Sequence, residues 1–120
     1  MTALALIGVV VFVLKFLASK LRSENAMSER RTYRSEDGRF FFRFCFETLS
    51  GGAYRVYIDD APSYSAYGRD ESLHATHRLR DGERFYVCWT DSLRTFGQAR
   101  SVAKLWAEAT ARYLKTGHRF

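Results

Sequence analysis

Proline is nearly absent from this chain, with Pro62 the only one in 120 residues. No repeat recurs at a fixed period and no low-complexity tract is present, which removes solenoid and propeller architectures. Cysteine is scarce too. Cys45 and Cys88 lie 43 positions apart with no CxxC pair, so neither a disulfide-stapled miniprotein nor a four-cysteine zinc site is available. A glycine-rich phosphate loop, a GxSxG elbow and an HExxH pair are all missing, and with them the commonest local signatures of enzyme chemistry. A length of 120 residues leaves room for one compact domain, or a smaller one with an appendage, and not for two cores.

What is present suffices for a core. Hydrophobic residues make up 47% and aromatic residues 16% of the chain, a composition that excludes disorder of the whole. Nineteen basic residues against thirteen acidic give a net charge of +6, and 15 of the 19 are arginine, whose planar fork suits phosphate.

The composition changes near Ser23. From Ala3 to Leu14 every residue is apolar or glycine, and Phe16, Leu17 and Ala18 carry the run past Lys15. A helix over Met1 to Ser19 has a length of about 28 Å at ~1.5 Å per residue, just enough for the hydrocarbon of a bilayer. Its 11 Leu, Ile, Val and Phe residues each favour insertion by about 0.3–0.6 kcal/mol, which together exceeds the ~3 kcal/mol cost of an off-centre lysine able to snorkel. No Lys or Arg precedes the run, whereas Lys15, Lys20, Arg22, Arg30, Arg31 and Arg34 lie within or after it. The positive-inside rule then puts the remainder on the inner, cytosolic side of a membrane, where both cysteines stay reduced. The same charge order speaks against a cleaved secretory signal, in which the positive charges come first. A second reading takes Met27 as the true start and leaves a cytoplasmic domain. The expected organisation is an anchor helix over 1–22, a polar linker over 23–37 and a small α+β domain over 38–120.

Phe40, Phe42, Phe44 and Phe46 alternate with Phe41, Arg43, Cys45 and Glu47, the period-2 pattern of a strand with one aromatic face. Two glycines, Gly51 and Gly52, then separate it from Ala53 to Asp59, where Tyr54, Val56 and Ile58 alternate with Arg55, Tyr57 and Asp59, so a hairpin is predicted. A loop over Asp60 to Leu73 follows. His74 to Leu79 and Arg84 to Thr90 flank Asp81-Gly82, a strong hairpin signal. Thr95-Phe96-Gly97-Gln98 matches a capping box, and Ala99, Val102, Ala103, Trp106, Ala109, Tyr113 and Leu114 form an apolar stripe that stops at Gly117. The predicted fold is therefore α+β: a four-stranded antiparallel sheet of two hairpins with one C-terminal helix on one face. The phenylalanine ladder, Val56, Ile58, Phe85, Val87 and Trp89 should meet the Trp106 stripe.

Strand parity assigns Phe41, Arg43, Cys45, Arg55, Tyr57, Arg84 and Tyr86, with Arg78 or its neighbours, to the uncovered face. Interleaved arginines and aromatic rings fit single-stranded nucleic acid, through phosphate neutralisation and base stacking; they fit a protein-contacting or solvated face as well. The Tyr64 to Arg69 loop, with Tyr67 between, has the composition of a protein contact, or folds back over a sheet edge. The basic residues after the apolar run offer an anionic membrane surface as a further partner. His74 and His77 form H-A-T-H and with Asp59 make the enzyme-like alternative, a small hydrolase or nuclease. Their i, i+3 spacing splits them across a strand, and no third ligand stands at a metal-site spacing. The leading expectation is a non-enzymatic binding module for a protein or nucleic-acid partner, with no cofactor or metal, acting through Arg43, Arg55, Tyr57, Tyr64, Tyr67, Arg69, Arg84 and Tyr86. In topology alone this make-up resembles small nucleic-acid-binding modules.

Overall fold

A computed structural model describes residues 28–120; the anchor helix expected over 1–22 lies outside the described residues. One antiparallel sheet carries strands β1 (Ser28–Arg34), β2 (Phe41–Thr48), β3 (Tyr54–Asp60), β4 (Arg78–Asp81) and β5 (Arg84–Val87) in the order β1-β2-β3-β5-β4. A single helical turn, α1 (Leu73–Thr76), precedes β4, and the long helix α2 (Phe96–Thr116) closes the chain. Both predicted hairpins are present. Gly51 and Gly52 supply the positive φ values of the first turn and Gly82 that of the second, conformations that cost a side-chain-bearing residue but not glycine.

Alternation along β2 decides which side of the sheet is the core. Phe42, Phe44 and Phe46, with Phe40 before them, are buried, while Phe41 and Arg43 point the other way and are exposed. α2 covers the phenylalanine side. Its capping box forms as predicted, with Thr95 Oγ1 accepting from the Gln98 amide and Gln98 Oε1 accepting from the Thr95 amide. Gly117 ends it with φ 75°. Trp106 sits at the centre, edge-on to Phe42 at 5.8 Å and to Phe44 at 6.0 Å, with its indole N–H donating to the Thr76 carbonyl at 3.0 Å. That bond satisfies the only polar atom of the ring at a buried site. The buried stripe of α2 includes Ala107, Thr110 and Ala111, and passes beside Ala109, which is only partly buried.

Three of the elements differ from the sequence reading. The sheet has five strands rather than four, and the fifth, β1, falls within the stretch read as a linker. Its sequence SERRTYR is polar on both sides, because it is an edge strand whose pairing with β2 is made by backbone groups. Only Tyr33 among its residues packs on the core. The second difference lies at His74 to Leu79, where a strand was expected throughout. Ser72 instead caps α1 by accepting from the Ala75 amide, and His77 takes a left-handed conformation at φ 52°, so β4 begins only at Arg78. Third, β5 ends at Val87, and Trp89, expected in the core, is 45% exposed. The bridge between Tyr54 and Leu93 takes its place at that end of the sheet, and Leu93 is the buried residue.

Candidate interaction surface

Among the described residues no element covers the side of the sheet away from α2, yet two of its side chains are buried. Tyr57 is 4% exposed and Cys45 is also fully enclosed. Both lie in one transverse row, in which Arg30 pairs with Cys45, Cys45 with Tyr57, Tyr57 with Tyr86 and Tyr86 with Leu79. The covering comes from charged side chains of neighbouring rows. Arg84 lays its guanidinium over the Tyr57 ring, 3.6 Å from the centroid, and reaches Glu47 at 2.8 Å. Arg55 lies 4.1 Å from the centroid of Tyr86 and donates to the Tyr57 hydroxyl at 3.2 Å. That hydroxyl in turn donates to Asp81 at 2.7 Å.

Electrostatics follow from these contacts. Glu47 is held below the usual carboxylate range chiefly by its hydrogen bond from Arg84, and Arg84 is raised in turn by Glu47. Burial, and then the acceptor Asp81, push the Tyr57 phenol up; the bond to Tyr57 raises Arg55. Asp59 joins the same lattice, 3.4 Å from Arg30 and 3.8 Å from Arg84. Cys45 Sγ lies 3.4 Å from Glu47 and 3.6 Å from the Ser28 hydroxyl. Guanidinium groups held on aromatic rings by carboxylates have little rotamer freedom left to lose on binding.

One edge of this lattice is less saturated. The Arg43 side chain is exposed, with no hydrogen bond, ion pair or ring contact among the described residues. Beside it Phe41 is 56% exposed, with the Arg34 guanidinium 5.2 Å from its centroid. Of Arg78 or its neighbours, expected on this surface, Arg78 itself lies on the helix side. It pairs with Val87 in the sheet, donates to Thr76 Oγ1 and covers Phe85 at 4.1 Å, leaving the position to Leu79. Cys45 and Cys88 remain free thiols, and β3 separates the strand of Cys45 from β5.

The Tyr64 to Arg69 loop is folded onto the domain. Tyr64 is buried against Tyr113 and under Arg78, and its carbonyl accepts from the amides of Tyr67 and Arg69. Arg69 lies over the end of α2 and donates to the Leu114 carbonyl at 3.2 Å. Of the three, only Tyr67 is exposed, and its ring meets Phe40 edge-on. The loop composition reads as an interface because tyrosine and arginine serve equally to seal a sheet end and a helix terminus.

The histidines do not converge with Asp59 in any contact of the described residues. His74 is exposed on α1, and His77 stacks on Phe120 and hydrogen-bonds its carbonyl. Asp59 is engaged by arginines. No cluster of three or more His, Cys, Asp or Glu that could hold a metal occurs among the described residues. Glu47 and Asp81, which fix the two central arginines, were not singled out in the sequence; Glu47 shares the parity of Arg43 and Cys45, and Asp81 opposes Arg84 across the Asp-Gly turn, so parity alone could have found them. Leu105 was likewise passed over. It is 60% exposed outside the apolar stripe of α2, and with Trp89 it flanks one groove. No protein family matches the chain, and comparison with curated proteins and with solved structures finds no match.

Proposed function

We propose that this protein is a non-enzymatic interaction module that docks a protein partner through the uncovered sheet face. The observation that carries the reading is the fixed arginine lattice. Arg55 and Arg84 are held over Tyr86 and Tyr57 by Asp81 and Glu47, next to Arg43, which lacks any partner among the described residues, and the exposed Phe41. Arginine and aromatic side chains dominate binding energy at protein interfaces, above all where they are held in place beforehand. The same lattice weighs against single-stranded nucleic acid, because stacking needs an open ring face and the Tyr57 ring is taken by Arg84. Carboxylate-bearing side chains of a partner are the complement to Arg43 and Arg34.

Tethering to the inner side of a membrane belongs to the same proposal. Its support is the apolar run from Ala3 to Leu14 and the order of charges after it; among the described residues no helix is long and apolar enough to cross a membrane. A photocrosslinking side chain placed at Phe41 of the full chain tests the docking surface in cells. A discrete protein adduct, lost with Arg43→Glu and missing when the same side chain is placed at Arg112 on α2, is the expected result. An adduct to nucleic acid would reassign the partner, and no adduct at Phe41 would remove the reading. Retention of the full chain by membranes after a carbonate wash tests the tether, and release rejects it.

A further inference from the structure

On the other side of the sheet the helix layer stops short of the edge. α2 packs on β2 and β3, and toward β1 it presents Gly97, Arg100, Ser101 and Lys104. A cleft of about 390 Å³ remains, floored by Phe44 and Phe46 and walled on the strand side by Arg31. That volume lies within the range of small-ligand pockets. Gly97 leaves it open: a side chain there would meet only Thr95 Oγ1, at 3.9 Å.

Three cations stand at this cleft; carboxylates engage two of them, and Tyr33, also on its lining, donates to a further carboxylate, Glu108. The guanidinium carbons of Arg31 and Arg100 lie 5.6 and 5.8 Å from the centroid of the same ring, Phe96, and Lys104 is a third cation on the rim. Arg31 has a carboxylate partner in Glu29, at 2.6 Å. Lys104 stands 3.8 Å from Glu36, with both side chains largely exposed. Arg100 has no carboxylate partner among the described residues. Arg100 is therefore the cation of the three left to meet an anionic ligand, beside a loosely held Lys104.

We propose that the cleft between β1 and α2 binds a phosphate monoester carried on an aromatic or apolar body. A phosphate monoester brings a charge of about −1.5 to −2 and three acceptor oxygens, which matches three cations better than a carboxylate does, and guanidinium forks bind it in bidentate fashion. Phe44 and Phe46 are 1% and 2% exposed, so the body meets only the edge of that floor. A soluble phosphorylated metabolite and a phosphatidic acid headgroup share this chemistry.

The test is calorimetric titration of the full chain with phenyl phosphate and with inorganic phosphate at fixed chloride. In parallel, the chain is sedimented with phosphatidylcholine vesicles, with and without phosphatidic acid. Phenyl phosphate should bind more tightly than inorganic phosphate. Arg100→Ala and the milder Arg100→Gln should each weaken it about tenfold, the loss expected for one charge-assisted contact. Arg112→Ala, elsewhere on α2, should leave it unchanged. Binding of the vesicles alone, lost with Arg100→Gln, would support the site and identify the headgroup as its source. Equal weakening by Arg112→Ala would overturn the proposal as non-specific charge attraction, and so would the lack of any response to phenyl phosphate and to phosphatidic acid vesicles.

Discussion

Tyr57 and Tyr33 are phenols whose hydroxyls donate to carboxylates, one on each side of the sheet. Tyr57 donates to Asp81 and accepts from Arg55. Replacing it with phenylalanine keeps the ring under Arg84 and removes both bonds, so Tyr57→Phe should lower unfolding stability by about 1–3 kcal/mol, the range for hydrogen bonds to charged partners that are themselves partly exposed. Urea unfolding measures it, and an unchanged midpoint would mean that the lattice contributes nothing to folding. Tyr33 donates to Glu108 at 2.7 Å, tying β1 to α2. Burial, with Glu108 as acceptor and neighbouring charge, pushes its phenol up to about 12 from an ordinary 10.0. A phenol whose folded value is raised binds its proton more tightly in the folded state. Its contribution is therefore complete below pH ~10 and is lost as pH rises toward ~12, following the linkage between proton binding and stability. Unfolding midpoints recorded across that window should fall, and Tyr33→Phe should flatten part of the fall.

At the scale of the element, β2 places opposite energetics on consecutive residues. Phe44 is buried between Phe42, Phe46 and Trp106, so Phe44→Ala should cost about 3–5 kcal/mol through lost burial and the cavity left behind. The exposed side chain of Arg43 next to it makes no hydrogen bond, ion pair or ring contact among the described residues, and Arg43→Ala should stay within about 0.5 kcal/mol. Denaturant midpoints of the two variants compare them directly, and similar losses would mean that the alternation has been assigned to the wrong side. This alternation was legible because period 2 in a half-buried strand is imposed by burial itself. The capping box and both glycine-bearing turns were legible for a like reason, since each rests on a local backbone demand met by a few neighbouring residues. β1 was not. An edge strand is held by backbone pairing with β2, and of its side chains only Tyr33 packs on the core, so SERRTYR has no pattern to read. Nor did residue type reveal His77 in a left-handed conformation, which it takes as the C-cap of α1, its amide donating to the Leu73 carbonyl. Of the candidate surface, strand parity gave the occupants, whereas the pairing that buries Tyr57 depends on cross-strand register and on which long side chains lie down over it.

At the scale of the whole molecule, carboxylates stitch together segments distant in sequence. Asp37, in the turn after β1, meets Lys115 at the end of α2 at 2.6 Å. Asp70, in the loop before α1, meets Arg119 at 3.2 Å. Glu47 of β2 meets Arg84 of β5. All three are held below their ordinary values: Asp37 chiefly by the Lys115 bond and then by Ser35, Asp70 by the Ser72 amide, and Glu47 by Arg84. A carboxylate with a lowered folded value stabilises the fold above its ordinary pKa, 3.8 for the aspartates and 4.5 for Glu47, and loses that contribution as pH falls through the folded value. Stability should therefore hold level near neutrality and decline once pH drops below ~4.5, where the unfolded chain begins to take up protons that the folded one refuses. Lys115→Met removes the largest cause acting on Asp37 while keeping the length of the side chain, so its urea midpoint should fall less between pH 7 and pH 3 than that of the unaltered chain. An equally steep decline would show that the tie between the β1 turn and the end of α2 plays no part in acid sensitivity. The phenylalanine ladder and Trp106 carry no titrating group, so the core they form should keep the indole enclosed while these ties are released. Emission from Trp106 that stays blue-shifted at acid pH, with Trp89 alone open to an aqueous quencher, is the expected signature, and full exposure of both indoles at the onset of the decline would mean that the ties and the core fail together.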